Sequence, residues 1–315
     1  MTRPHSTLAA AVAATVALTL VPVWAQPPQV RRPADQVFRT AVEMVSLNVT
    51  VTDQKHHYLT DLDSKDFSIF EDGAKQEIAY FNRTTLPIAL SLLLDTSASM
   101  ESRMTTAQDA AIGFARKLRP QDLAQVVDFD TRVEILQSFT TDAAALETAI
   151  RNTTAGGSTS MYNALYISLK ELVKVQAKSD DDVRRRAVVL LSDGEDTSSL
   201  VTYEEVLDLA KRSATTIYTI GLQSRETSIS KGFREAEFVL RQLAQETGGR
   251  AFFPQRAEDL TAIYGEIADE LASQYVIGYA STNPKRDGAW RRLNVLVGRQ
   301  GTTARTKRGY FAPAS

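Results

Sequence analysis

Ile88-Ala89-Leu90-Ser91-Leu92-Leu93-Leu94 is an apolar run that leads straight into Asp95-Thr96-Ser97-Ala98-Ser99. A carboxylate and two hydroxyls spaced two apart, just past a buried strand, present three oxygen ligands at one sheet edge. That is the donor chemistry of a hard cation. The period-two spacing lets Ser97 and Ser99 face one crevice, so both hydroxyls can ligate directly. Two later segments supply further oxygens: Gly156-Gly157-Ser158-Thr159-Ser160 before a helical pattern, and Ser192-Asp193-Gly194-Glu195-Asp196 after the apolar run Val188-Val189-Leu190-Leu191. Mg2+ takes six oxygens at about 2.0–2.1 Å and usually keeps some of its waters. With several neutral ligands the ion retains positive charge, and an open coordination position can take an anionic oxygen.

The elements that must position these residues follow from the hydrophobic pattern. Strands are expected at 88–94, 124–130, 187–192, 215–221 and near 250–253. Helices are expected at about 101–118, 142–151, 160–177, 203–213, 233–247 and 257–273. Strands alternating with helices predict a Rossmann-like, doubly wound and mostly parallel sheet covered on both faces. Before this core, Val45, Leu47, Val49 and Val51 alternate with Ser46, Asn48, Thr50 and Thr52, the period of a half-buried strand. Asp53 to His57 reads as a turn, and Phe67 to Ile78 as a hairpin around Asp72-Gly73. After the core, Tyr275–Tyr279, Trp290–Val297 and Thr302–Lys307 read as strands, separated by turns at 283–288 and 300–301. Each flank is too small to stand alone. The two are therefore expected to pair in one small antiparallel β domain, with segments 38–85 and 275–313 flanking a core of 86–274.

Taken together, the order D-x-S-x-S, G-x-T and D-G resembles the metal-ion-dependent adhesion site of von Willebrand factor A (VWA) domains. The flanks carry a second resemblance, to the VWFA-related family first described in acidobacterial proteins. It rests on Val49-Thr50-Val51-Thr52-Asp53, Asp66-Phe67-Ser68-Ile69-Phe70-Glu71-Asp72-Gly73, Ser273-Gln274-Tyr275-Val276-Ile277-Gly278-Tyr279 and Arg308-Gly309-Tyr310-Phe311-Ala312-Pro313. The resemblance spans about residues 38–313. It implies a secreted module that holds a divalent cation, Mg2+ with Mn2+ or Ca2+ as alternatives, through Asp95, Ser97, Ser99, Thr159 and Asp193. Asp95 and Asp193 are then expected to bind the ion directly or through its waters. The implied partner is a protein that presents an Asp or Glu carboxylate. The resemblance also implies that the last core helix shifts with ligand state.

Each residue alone has a plainer explanation. Asp95, Ser97 or Ser99 could cap the helix that follows, Thr159 or Ser160 the helix from Met161, and Asp193-Gly194 is a common turn pair. Glu195 and Asp196 read as solvated loop acids, and Asp128 and Asp130 as solvent-facing. The glycine-rich segment lacks G-x-x-x-x-G-K-[ST], and no G-x-G-x-x-G follows the first core strand. No G-x-S-x-G is present. Of the three histidines, His5 lies in the leader and His56 and His57 in a surface turn. A catalytic role is thus not expected; the alternatives are a scaffold with a structural metal or, less favoured, a metal-assisted hydrolase.

The address is read from the start of the chain. Met1-Thr2-Arg3-Pro4-His5, an apolar stretch from Leu8 to Leu20 and Val23-Trp24-Ala25 have the parts of a secretory signal over 1–25, followed by a proline-bearing linker over 26–37. The stretch is shorter than the ~20 residues that a bilayer span needs. The expectation is an extracytoplasmic protein, periplasmic or secreted, with no stable membrane span after the signal is removed. There is no cysteine, which excludes disulfides and thiolate metal sites. The 36 basic and 38 acidic residues give no reason to expect a nucleic-acid partner.

Overall fold

A computed structural model describes residues 44–83, 86–175, 183–193, 195–222 and 231–314. The expected signal and linker, and Gly194 of the D-G pair, lie outside the described residues. Four strands open the described chain: β1 (Met44–Asp53), β2 (Phe67–Glu71), β3 (Ala74–Gln76) and β4 (Ile78–Asn82). The core follows with β5 (Ile88–Asp95), α1 (Met104–Ala115), β6 (Leu123–Phe129), β7 (Val133–Thr140), α2 (Ala143–Arg151) and α3 (Met161–Lys174). It continues through β8 (Arg185–Ser192), α4 (Tyr203–Arg212), β9 (Thr216–Gly221), α5 (Lys231–Thr247), β10 (Ala251–Phe252) and α6 (Leu260–Ala272). The last strands are β11 (Tyr275–Ala280), β12 (Trp290–Val297), β13 (Thr302–Arg305) and β14 (Gly309–Phe311).

The core sheet has the order β10-β9-β8-β5-β6-β7, with β7 its one antiparallel edge. Every position of β5 is buried, because its parallel neighbours β6 and β8 close both edges and helices cover both faces. Its side chains alternate between two cores. Leu90, Leu92 and Leu94 meet Phe114, Ile150, Tyr264 and Ile267 from α1, α2 and α6 on one side. Ala89 and Leu93 meet Leu165, Leu169, Val206 and Leu243 from α3, α4 and α5 on the other. This is the expected Rossmann-like architecture, with the strands' C-terminal ends forming one edge of the sheet.

The remaining strands form two four-stranded antiparallel sheets, β13-β1-β11-β4 and β14-β12-β2-β3. Each contains strands from both ends of the chain: β1 pairs with β11 from Met44↔Ala280 to Val49↔Tyr275, and β2 pairs with β12 from Phe67↔Val297 to Glu71↔Leu293. Val45, Leu47, Val49 and Val51 point into a core shared with Ile69, Tyr275, Ile277 and Val295. Asp72 (φ 49) and Gly73 (φ 87) both adopt the left-handed conformation that a two-residue hairpin turn requires.

Two expectations are corrected. β7 was not foreseen from the sequence pattern. The helix expected at 101–118 begins as a 3-10 turn over Ala98–Arg103 and is α-helical only over α1.

Candidate metal centre

The C-terminal ends of β5 and β8 lie side by side, with Leu94 beside Leu191, and the chain leaves both strands into loops. Ser97 Oγ lies 3.1 Å from Ser99 Oγ, and Ser99 Oγ donates to Asp193 Oδ1 at 2.7 Å. Three of the five expected residues are thus directly joined, across 94 residues of sequence between Ser99 and Asp193. Asp95, fully buried, accepts from the Ser97 amide at 2.9 Å and from Ser192 Oγ at 2.6 Å. Burial pushes its carboxyl up to about 6, against those hydrogen bonds and with a further push from the neighbouring Asp193.

Thr159 reaches this edge on a loop stitched to the first: Gly156 N donates to Thr96 O at 2.7 Å and Ala98 N to Gly157 O at 3.1 Å. Gly157 has φ +74, and a Cβ there would sit 2.5 Å from Thr131 Oγ1, so conformation and space both require glycine. Thr159 is buried, and its backbone is clamped by Thr197: the amide donates to Thr197 Oγ1 at 3.0 Å and the carbonyl accepts from Thr197 N at 2.9 Å. No hydrogen bond joins its side chain to the other four residues.

Helix capping does not account for Ser97 or Ser160. Ser97 stands at the N-cap of the 3-10 turn and Ser160 at that of α3, yet neither makes a side-chain cap bond. Ser160 Oγ donates instead to Asp130 O at 2.7 Å. The donor set is two carboxylates and three hydroxyls, all hard oxygens, which fits a small divalent cation. Among the described residues no group of three or more His, Asp or Glu is placed to hold a metal.

Two neighbours of the site went unassigned in the sequence. Ser192 orients Asp95. Arg103 donates to Asp193 Oδ2 at 2.7 Å, leaving Oδ1 to Ser99. Ser192 adjoins Asp193 in an already suspect segment; nothing in the sequence marks Arg103. Asp196 is not a free loop acid: it accepts from Tyr162 N at 2.8 Å and from Ser199 Oγ at 2.6 Å, fixing its loop to the start of α3. Nor does Asp128 face solvent fully. It is half-buried, and burial, with Glu134 and Asp130 nearby, pushes it up to about 6. His56 and His57 are exposed in their turn.

The class defined by this fold is matched by a family model: residues 90–266 match the von Willebrand factor type A domain. The chain belongs to that family. It is 25% identical over 218 residues to a UPF0353 protein of Mycolicibacterium gilvum, a match over 63% of this chain and 64% of that one. A UPF0353 protein of Mycobacterium tuberculosis is 25% identical over 226 residues, 65% of each chain. The chain therefore spans less than two thirds of these curated relatives' length. Among solved structures, a von Willebrand factor type A protein from Catenulispora acidiphila superposes with a TM-score of 0.51 at 13% identity, over 88% of this chain and 76% of that one. Proximal thread matrix protein 1 of the mussel byssus gives 0.50 at 16% identity, over 60% and 49%, and has been solved with zinc in its metal-ion-dependent adhesion site motif.

Proposed function

We propose that the chain is a metal-dependent protein-binding module of the VWFA-related type, in which Asp95, Ser97, Ser99, Thr159 and Asp193 hold a divalent cation, Mg2+ by preference. The observation that carries this reading is the hydrogen-bonded run of oxygens from Ser97 Oγ to Ser99 Oγ at 3.1 Å and on to Asp193 Oδ1 at 2.7 Å, beside a buried Asp95. The zinc-occupied motif of the mussel protein supports a divalent ion at such a site. When bound, the ion supplies a Lewis-acidic position for an anionic oxygen. The chain's own part is to hold neutral hydroxyls and two acids in place, so that charge remains for a carboxylate of a partner protein. Ser192 fixes Asp95 and Arg103 fixes Asp193 in this arrangement. The reading includes no catalytic residue and places the protein outside the cytoplasm.

Calorimetry with Mg2+ tests the metal step, and capture of partners from envelope extract, with and without chelator, tests the second. Asp95→Ala is expected to abolish both while the fold persists. Capture that proceeds equally in excess chelator would end the metal-bridged reading.

A further inference from the structure

The parallel strands β5, β6, β8 and β9 all end at the metal edge of the sheet, and the loop after β8 carries the most exposed large hydrophobic side chain among the described residues. Leu200 is 93% exposed, where the others, Val173, Phe238 and Leu296 among them, lie at 40–60%. A lone exposed leucine is ordinary on a protein surface. What sets this one apart is the fixed backbone beneath it. Leu200 N donates to Asn163 Oδ1 at 3.1 Å, Val201 N donates to the same oxygen at 3.3 Å, and Asn163 N donates to Ser199 Oγ at 3.0 Å. Val201 packs against the core that α3 and α4 cover. The loop thus turns one apolar residue inward and holds its neighbour out. The fold uses only the backbone N–H of Leu200, which any residue but proline would supply.

The same loop is tied to the metal centre. Thr197 N and Ser198 N both donate to Thr159 O, at 2.9 and 3.1 Å, and Ser158 Oγ donates to Ser198 Oγ at 3.0 Å. Leu200 comes three residues after Thr197, so the two Cα atoms lie within roughly 11 Å of each other even if the chain between them is fully extended. Two tyrosines bracket the leucine. Tyr162 adjoins Asn163, which holds Leu200 N, and Tyr203 opens α4 three residues further on. Their rings are half-buried and 6.4 Å apart. From Thr197 to Val201 the loop carries no charge. Tyrosine beside an exposed aliphatic side chain, on an uncharged and fixed loop, is the composition of the centre of a protein interface.

We propose, resting on the metal-bridged reading above, that Leu200 is the apolar anchor for the partner whose carboxylate reaches the cation, and that it selects an acidic residue with an apolar side chain within about four positions of it in the partner's chain. An extended chain advances about 3.3–3.6 Å per residue, so three or four positions span the separation between the leucine and the Thr159 loop. The cation attracts any exposed carboxylate, and its ligands are all polar. Burial of Leu200 against the partner's apolar side chain takes both out of water and supplies the discrimination that the metal lacks.

The test uses immobilised peptides with one aspartate each, whose flanking positions are drawn from leucine, phenylalanine and valine in one set and from serine, asparagine and glutamine in the other. The whole chain is applied in Mg2+ and in chelator. Wild type is expected to bind the apolar set roughly tenfold or more tightly than the polar set, and only in Mg2+. Leu200→Ser should bring the apolar set down to the level of the polar one, while Mg2+ affinity by calorimetry and the unfolding midpoint stay as in wild type; Leu200→Met should keep the preference. Mg2+-dependent binding without an apolar preference, or a preference that survives in Leu200→Ser, would overturn the anchor and leave the metal reading standing. Peptide binding that is absent, or indifferent to chelator, would end the metal reading and the anchor with it. A wild-type dimer in sedimentation that Leu200→Ser dissolves would assign the leucine to a second copy of the chain, and so overturn the proposal as well.

Discussion

Replacing Asp95 by Asn should stabilise the metal-free protein while destroying its response to metal. Asp95 is fully buried at the end of β5, and its carboxyl is raised from 3.8 to about 6, chiefly by desolvation. The sign follows from comparing the two states. Below pH 3.8 the carboxyl is protonated both folded and unfolded and contributes nothing. Between 3.8 and about 6 the unfolded chain ionises freely while the folded one resists, so folding loses stability as pH rises; above about 6 the penalty is constant. A shift of about two units corresponds to roughly 3 kcal/mol at ~1.36 kcal/mol per unit. Against this, the amide is a poorer acceptor for Ser97 N and Ser192 Oγ, at a loss of about 1–2 kcal/mol. The net gain expected at pH 7 is about 1–2 kcal/mol, or roughly 2–8 °C in Tm for a domain of this size. Chemical and thermal unfolding in chelator, from pH 3.5 to 8, measures it. With Mg2+ at about 100 times Kd, the wild type should gain ~2.7 kcal/mol and the variant nothing, so the order reverses. A variant no more stable than wild type at pH 7 in chelator would refute the burial argument. A gain that persists undiminished at pH 3.5 would refute the assignment to this carboxyl.

Glu71 and Arg291 form a buried ion pair at 3.1 Å in the β domain, and Tyr279, Ser281 and Tyr310 also donate to the carboxylate. Glu71→Gln should cost about 3–5 kcal/mol in urea unfolding, because Arg291 is left buried without its charge partner. These hydrogen bonds and Arg291 outweigh the opposing effect of burial and hold Glu71 below its ordinary 4.5, so the pair's contribution is complete above that pH and declines as pH falls through the depressed value. A pH profile of Glu71→Gln parallel to wild type between 5 and 2 would count against this. Truncation after Gln274 removes β11, to which both β1 and β4 pair, and should open 44–82 to limited proteolysis; a digest unchanged from the full chain would contradict it. Partner and Mg2+ together should alter hydrogen exchange over 258–279, since Glu270 of α6 is held by Tyr218 at 2.8 Å and by Arg305 of β13 at 2.5 Å; unchanged exchange there removes the coupling of α6 to the β domain.

The parts of the fold legible in the sequence were those where burial is complete and local. β5 and β8 read as apolar runs because both faces are covered, and α2 begins after Asp142, whose side chain caps it at 2.9 Å as its type suggests. β7 escaped because it is a sheet edge with no fully buried position, and its pairing with β6 shifts register twice, which breaks the alternation that marks a strand. Side-chain partners reached over 90 residues, such as Ser192 with Asp95 and Arg103 with Asp193, have no periodic signature. Only the topology that sets β5 beside β8 creates them.

The site residues are also where local rules fail, and that failure is informative. Ser97 occupies a position where serine ordinarily caps a helix, yet its hydroxyl turns to Ser99. α1 is preceded by a 3-10 turn in place of a capped first turn. Asp95 is buried at a cost that an asparagine or a leucine would avoid. A chain selected for stability alone would satisfy its caps and leave no strained carboxyl at the end of its central strand. Local choices that lower stability and converge on one set of oxygens are the pattern expected when a site is kept for binding. Reversing one of them, as Asp95→Asn does, should therefore raise stability and remove function in a single step.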